Sequence, residues 1–377
     1  MWWGNILALL IAAVFGLAGY RLRIPGGMIL GAMLGVIIFN ILTGMVAFPV
    51  QARAVSQSLV GGVIAVSVTR EFVRSLRTFV KSAVVLTICM TISGFLVGYI
   101  LYRLNLIDDL ATSLFASAPG GLADMALIAM EMGIDSSRVI TLQIIRLVSI
   151  IAICPQLYRV IARRYNPPVS AEFVIAKSEP EAFPTQEAVH TSALSTSLPY
   201  PQEGRFHEKA VWVIRKSALT IVVAIAGGIV GFFIGVPAGV LIFSMIAVIA
   251  FNFSTGKGYM PKNLRRFAQV IAGTIIGQNI GANELPYIID LIIPGIILVL
   301  IYIALSFVIA FIMRRLCGLD LITALFASAP GGASDMALIA DDMGGNSPII
   351  ATMHIVRIVG VIIIFPQITF LIMLFNR

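Results

Sequence analysis

Two short blocks of this chain place chemistry-bearing residues where they are costly to keep. Ser117-Ala118-Pro119-Gly120-Gly121 is followed by Asp124, and Ser328-Ala329-Pro330-Gly331-Gly332 by Asp335, each inside an otherwise apolar stretch. Proline lacks the N–H that a helix needs and glycine disfavours helix, so each block predicts helix, break, helix. Non-helical backbone at membrane depth is tolerated only where protein buries it or where it lines a water-filled cavity. The break leaves backbone N–H groups at the start of the second half-helix, where the positive end of the helix dipole favours an anion. Asp124 and Asp335 fall in the first turn after each break. A cap or dipole partner would sit there. So would a carboxylate that takes up and releases a proton or cation, since an intramembrane ionisable group is a functional candidate.

Arg146 and Arg357 lie in strongly apolar segments, with Gln143 and His354 one turn earlier on the same face. An arginine at that depth costs about 2.5–3.5 kcal/mol on insertion scales and requires a partner. Two partners fit: an aspartate of either block, in a structural pair, or a bound carboxylate or phosphate, which a guanidinium grips bidentately. His354 stands where the first block has Gln143, and it reads either as a proton carrier or as a packed polar residue. Glu131 and Asp342, like Asp135 and Asn346, lie beyond the half-helices, where solvated loop ends are expected.

The elements that position these residues follow from composition. Of 377 residues, 59% are hydrophobic and 12% charged, with a mean hydropathy of +0.99, which is far from the quarter charged of a soluble domain. Stretches of the roughly 20 apolar residues that span a bilayer come in two sets. The first is 2–22, 24–50, 54–68, 79–101, the broken 110–132 and 139–162. The second is 218–234, 237–253, 267–280, 288–313, the broken 321–343 and 349–374. Between them, residues 166–210 hold six glutamates against Lys177, Arg205 and Lys209, together with six of the 17 prolines. Such a segment cannot bury a core and reads as a flexible linker. The expected organisation is membrane repeat 1 over 1–165, linker over 166–210 and membrane repeat 2 over 211–377.

The two sets are an internal repeat. At a shift of 211, more than half of the positions from Asp109 to Gln156 are identical to those from Asp320 to Gln367, including Arg146 with Arg357 and Pro155-Gln156 with Pro366-Gln367. Upstream, a shift of 212 pairs Pro25 with Pro237, Phe39-Asn40 with Phe251-Asn252, Gln57 with Gln269 and Gly61 with Gly273. Basic residues gather after spans one and three in the first half (Arg21, Arg23, Arg70, Arg74, Arg77, Lys81). In the second half they gather after spans two and four (Lys257, Lys262, Arg265, Arg266, Arg314, Arg315). Because cytoplasmic loops are enriched in Lys and Arg, the halves are expected to point in opposite directions. Five full crossings plus one re-entrant broken helix in each half would put the linker in the cytoplasm and both termini outside. The fold class expected is all-α, polytopic, with two inverted repeats.

Several functions drop out. Cys89, Cys154 and Cys317 form no CxxC pair, and of His190, His207 and His354 only the last lies in an apolar stretch, so disulfide frameworks and zinc, copper or iron sites lack ligands. No cofactor is expected. The net charge of +8 comes without a basic run carrying interleaved aromatics, so nucleic acid is not an expected partner. No catalytic constellation is found, and an enzyme is not expected. The Met1-Trp2-Trp3 start has no basic n-region, so a cleaved signal peptide is not expected.

At the duplicated SAPGGxxDMALIA motif, residues 117–129 and 328–340, the chain resembles the AbrB family of bacterial integral membrane proteins. The resemblance spans both halves and implies residence in the bacterial inner membrane. The family takes its name from a membrane protein linked to regulation of another gene, and is distinct from the small soluble transition-state regulator of the same name. Some members carry an ammonia monooxygenase label, which implies copper ligands that one intramembrane histidine does not supply. The architecture is also similar to secondary carriers with inverted repeats and discontinuous helices, in which paired broken helices mark the central site.

The residues therefore lead to a secondary transporter of a small, anionic solute, coupled to H+ or Na+. Substrate contacts are expected at Ser117, Pro119, Gly120, Gly121, Ser328, Pro330, Gly331, Gly332, Arg146, Arg357, Gln143 and His354. Ion coupling is expected at Asp124 and Asp335, with the lipid bilayer as surroundings and self-association left open. The alternative is a membrane sensor that binds a ligand in the same cavity, signals through the linker and affects gene expression indirectly.

Overall fold

A computed structural model describes residues 2–22, 26–165, 206–282, 289–341 and 343–375. Among these the chain is helical, with no strand. The first half forms α1 (Trp2–Arg21), α2 (Gly27–Thr43), α3 (Val50–Val66), α4 (Arg70–Arg103), α5 (Leu110–Ser117), α6 (Leu122–Glu131) and α7 (Ser136–Tyr165). The second forms α8 (Phe206–Ile234), α9 (Gly239–Thr255), α10 (Lys262–Gly277), α11 (Ile292–Cys317), α12 (Leu321–Ser328), α13 (Ala333–Asp341) and α14 (Ser347–Phe375). Helix α8 begins inside the stretch read as linker; the remainder of that stretch, residues 166–205, lies outside the described residues.

Six helices, drawn from α1, α4, α7, α8, α11 and α14, are long and apolar enough to cross a bilayer. Helices α2, α3 and α9, of 17 residues each, reach only about 25 Å at 1.5 Å per residue. Helix α2 is much shorter than its apolar run, 24–50, because the chain turns early at both of its ends. Gly26 (φ 64°) and Gly44 (φ 61°) bracket α2 in left-handed conformations, and Ala238 (φ 59°) and Gly256 (φ 65°) bracket α9 at the equivalent positions. Helix α4 runs the other way, beginning nine residues before the apolar run at Phe79. Thr69 caps it, its Oγ1 accepting from Phe72 N at 3.1 Å.

The repeat seen in sequence is matched by reciprocal contacts. Asn40 Nδ2 donates to the carbonyl oxygens of Gln278 (2.9 Å) and Ile280 (3.3 Å), and its counterpart Asn252 donates to that of Val68 (3.2 Å), each reaching into the other half. Gly273 lies so close to the Ile29 carbonyl that a Cβ would sit 2.7 Å from it, and Gly61 stands in the same relation to Leu241, at 2.8 Å.

Contacts also fix relative directions. Ser113 and Ser117 bond to the carbonyls of Gly98 and Gly94, so α5 runs antiparallel to α4. Gln143 and Arg146 bond to Phe115 and Ala118, so α7 runs parallel to α5. Ile145 meets Gly295 and Tyr158 meets Ser306, which makes α11 parallel to α7. Thr87 meets Gly360 and Gly94 meets Phe365, which makes α14 parallel to α4.

Packing sorts the helices into two groups, each built from both halves. Helices α1–α3 pack with α8–α10, and α4–α7 pack with α11–α14. The second group holds both broken helices.

Candidate functional site

Each broken helix is built the same way. An aspartate caps its first half: Asp109 Oδ2 accepts from Thr112 N at 2.7 Å, and Asp320 Oδ2 accepts from Thr323 N at 2.9 Å. After two turns the helix stops at Ser117 or Ser328, the Ala-Pro-Gly-Gly stretch follows in non-helical backbone, and α6 starts after the first break. The serine hydroxyls do not face a cavity. Ser117 Oγ donates to the Gly94 carbonyl and Ser328 Oγ to that of Ser306, both at 2.8 Å, so they fasten the tips to α4 and α11. Gly94 is required for this approach, because a Cβ there would lie 2.8 Å from Pro119 Cδ.

Among the described residues, the partners of the arginines are backbone carbonyls. Arg146 Nη1 donates to the carbonyls of Ser117 (3.1 Å) and Ala118 (2.7 Å). Arg357 Nη1 donates to that of Ala329 (3.0 Å), and its Nη2 reaches that of Gly331 (3.4 Å). One turn earlier, Gln143 Nε2 donates to Phe115 O at 2.9 Å, and His354 Nε2 lies 3.2 and 3.0 Å from the carbonyls of Phe326 and Ala327. These four side chains satisfy the carbonyls left over at the end of a half-helix, where a cation also complements the negative end of the dipole. His354 replaces Gln143 in position and in task.

The arrangement leaves polar capacity unused at the centre. Arg146 and Arg357 are 4% and 2% exposed, and among the described residues the Nε of each has no partner, nor do Gln143 Oε1 and His354 Nδ1. The two guanidiniums lie within electrostatic range of each other and of the Tyr302 hydroxyl. Asp124 forms no ion pair with Arg146. The ion pairs found among the described residues join Arg138 to Asp108 and Asp135 near the α6–α7 loop. Buried charges are costly unless paired or hydrogen-bonded, and here backbone carbonyls supply that pairing.

Asp124 is 6% exposed and has no hydrogen bond among the described residues. It does not cap α6, whose N-cap residue is Gly121, with no side-chain bond. Its carboxylate folds back onto Gly121, where a Cβ would fall 2.1 Å from Oδ2, so the second glycine of the motif makes room for the aspartate. The first glycine makes room for a methionine: a Cβ on Gly120 would lie 2.8 Å from Met125 Cγ, and one on Gly331 would lie 2.7 Å from Met336 Cε. The break at 330–332 mirrors the first, while the Asp335 side chain lies outside the described residues.

Sequence reasoning missed Tyr302. Its hydroxyl donates to the Ser117 carbonyl that Arg146 also holds, and its ring centre is 5.6 Å from the Arg146 guanidinium. One tyrosine in an apolar helix carries no pattern, and the other half has no counterpart to betray it. Aromatic packing crosses the halves as well: Phe365 of α14 lies edge-on to Phe115 of α5, at 6.0 Å, and Tyr158 of α7 edge-on to Phe326 of α12, at 5.2 Å.

Comparison with known proteins agrees with the duplicated architecture. A family model described as transition state regulatory protein AbrB matches residues 1–162 and 168–373. Similar proteins include "Putative regulator AbrB" of Escherichia coli (strain K12), 23% identical over 367 residues, with 97% of this chain and 95% of that protein covered. Another is "Uncharacterized protein YhjN" of Bacillus subtilis (strain 168), 26% identical over 289 residues, 75% of this chain and 68% of that protein. Because the family model takes in both halves and each broken helix, this chain belongs to the AbrB family.

Proposed function

We propose that the chain is a secondary transporter of the bacterial inner membrane that moves a small anionic solute coupled to H+ or Na+. The observation that carries the reading is the pair of buried guanidiniums, Arg146 and Arg357, within electrostatic range of one another, with Nε groups unused among the described residues, beside two interrupted helices. Interrupted helices at related positions of two repeats are the best structural pointer to a transporter's central site. Asp124, buried and unpartnered, is the candidate carrier of the coupling ion, and Asp335 is its counterpart.

The topology that such a mechanism needs is two inverted repeats, and the helix directions support it. Helix α4 is antiparallel to α5, α5 is parallel to α7, and α7 is parallel to α11. Helix α11 therefore points against α4, its counterpart. Since the short loop after α6 returns to the start of α7, α5 and α6 together enter and leave on one side. The division into two helix groups, one holding both breaks, supports alternating access by movement of one group against the other.

Transient currents from proteoliposomes on a solid-supported membrane test the reading. Concentration jumps of acetate, succinate, citrate, glutamate and phosphate are expected to evoke a current for at least one anion that depends on pH or Na+. Asp124→Asn removes that dependence without loss of folded protein. Absence of current across the panel, with folded protein in the vesicles, argues against transport.

The printed name of the Escherichia coli relative favours a second reading, a ligand-binding sensor that acts through residues 166–205. Deleting those residues separates the two. A transporter keeps its currents, and a sensor loses its effect on expression while still binding ligand.

A further inference from the structure

A pocket of about 600 Å³ opens away from the two tips, where the start of α3, the end of α6, the end of α8 and the end of α14 meet. Its volume falls in the range of small-molecule sites. It lies between the two helix groups, and α6 forms part of its lining, with Leu127 three residues beyond Asp124. Most of the lining is apolar, including Leu127, Met130, Val240, Phe370 and Met373, and Gly231 and Gly235 present backbone to it. Three polar side chains face the same space: Arg53, Gln57 and Glu131.

Arg53 has no partner among the described residues, and its Nε is buried and bonded to nothing. A guanidinium kept without a partner in a partly buried place is costly, and its fork geometry matches a carboxylate. Glu131 is already engaged: Gln57 Nε2 donates to its Oε2 at 2.9 Å and to Leu127 O at 3.3 Å. The bond from Gln57 favours the ionised form of Glu131, and a carboxylate at that place disfavours a second negative charge on a ligand. The trio also recurs in the second half as Arg265, Gln269 and Asp342, at the shifts of 212 and 211 that relate the repeats.

We infer that this pocket binds a small molecule carrying a single carboxylate on an apolar body, with Arg53 as the group that holds the carboxylate. The shared chemistry covers a free monocarboxylate and an apolar α-amino acid, whose ammonium group would face Glu131. The transporter reading adds only that this pocket is an entry site on the solute's path; the binding itself does not depend on it.

Saturation-transfer NMR on the full chain in phosphatidylcholine nanodiscs tests this, with hexanoate, leucine, succinate and phosphate as probes. The expected result is transfer to the apolar protons of hexanoate or leucine, reduced at least fivefold in Arg53→Gln, with succinate in competition displacing neither. Arg53→Gln removes no hydrogen bond to any described residue, and thermal unfolding of the variant checks that it folds as the parent does. If leucine alone binds, and Glu131→Gln abolishes its signal, the source is an amino acid. If hexanoate binds and survives Glu131→Gln, it is a simple monocarboxylate. Equal signals with and without Arg53, or succinate displacing both ligands, overturn the assignment. If binding is lost in Arg357→Lys but kept in Arg53→Gln, the ligand sits at the central arginines. The pocket assignment then fails while the transporter reading stands.

Discussion

The Ser117 carbonyl is the most heavily used acceptor at the first tip, and its two donors come from different halves. Arg146 reaches it at 3.1 Å while also holding Ala118 at 2.7 Å, and Tyr302 donates to it from α11. Hydrogen bonds between membrane helices average about 0.6 kcal/mol, with a maximum near 1.7. Arg146→Met loses two of them, together with a cation–π contact worth about 0.5–2 kcal/mol. The expected cost is about 2–4 kcal/mol. Tyr302→Phe loses one bond to an oxygen that Arg146 still covers, so about 0.5–1 kcal/mol is expected. Combining the two leaves Ser117 O bare in a dry interior, and an orphaned buried polar group costs about 1–3 kcal/mol. The double variant should therefore be about 1 kcal/mol less stable than the sum of the singles. Unfolding in mixed dodecyl sulfate micelles, followed by far-ultraviolet circular dichroism, measures all four corners of the cycle. Additivity within about 0.3 kcal/mol would refute the shared carbonyl. An Arg146→Met variant as stable as the parent, yet unable to bind solute, would refute the structural role of the arginine and leave only a clamp.

Gly98→Ala should destabilise by about 1–3 kcal/mol, because the new Cβ would lie 2.7 Å from Leu114 Cα and from Ser117 Oγ, neither of which can yield without moving α5; thermal unfolding of the purified protein reads this. His354→Gln installs the residue that its counterpart Gln143 already is, so stability should change by no more than about 0.5 kcal/mol. An unchanged pH profile of solute-evoked current in that variant assigns His354 to the half-helix carbonyls, whereas a flattened profile makes it a proton carrier. Met45 and Lys257 are exposed and equivalent at a shift of 212. In a background without the three native cysteines, an impermeant thiol reagent should label Met45→Cys in intact cells and Lys257→Cys only after permeabilisation. Equal labelling of the two contradicts the inversion.

The repeats and both breaks were legible because they depend on local chemistry: proline and glycine interrupt a helix whatever surrounds them. Helix ends were less legible, since an apolar run marks where a chain can be buried and not where its hydrogen bonding stops. Thr69 starts α4 well before the run begins, and left-handed Gly26 and Gly44 close α2 inside its run. The arginines show the deeper limit. Charge counting offers a carboxylate or an anion as partner, because those are the charged species in view. The partners found are backbone carbonyls, which every residue carries and which no sequence pattern distinguishes until a helix is known to end beside them. The break at 117–121 itself exposes these carbonyls, so the motif that opens the helix creates the need that Arg146 and Gln143 meet from α7, 28 residues downstream. The same spacing in the second half, Phe326 to His354 and Ala329 to Arg357, makes break and clamp one inherited unit. It also means that the fold itself holds the two arginines in place, with the Nε of each left over among the described residues. An anion drawn there would meet guanidiniums already oriented by the fold and would lose little to ordering them, as a preorganised site requires.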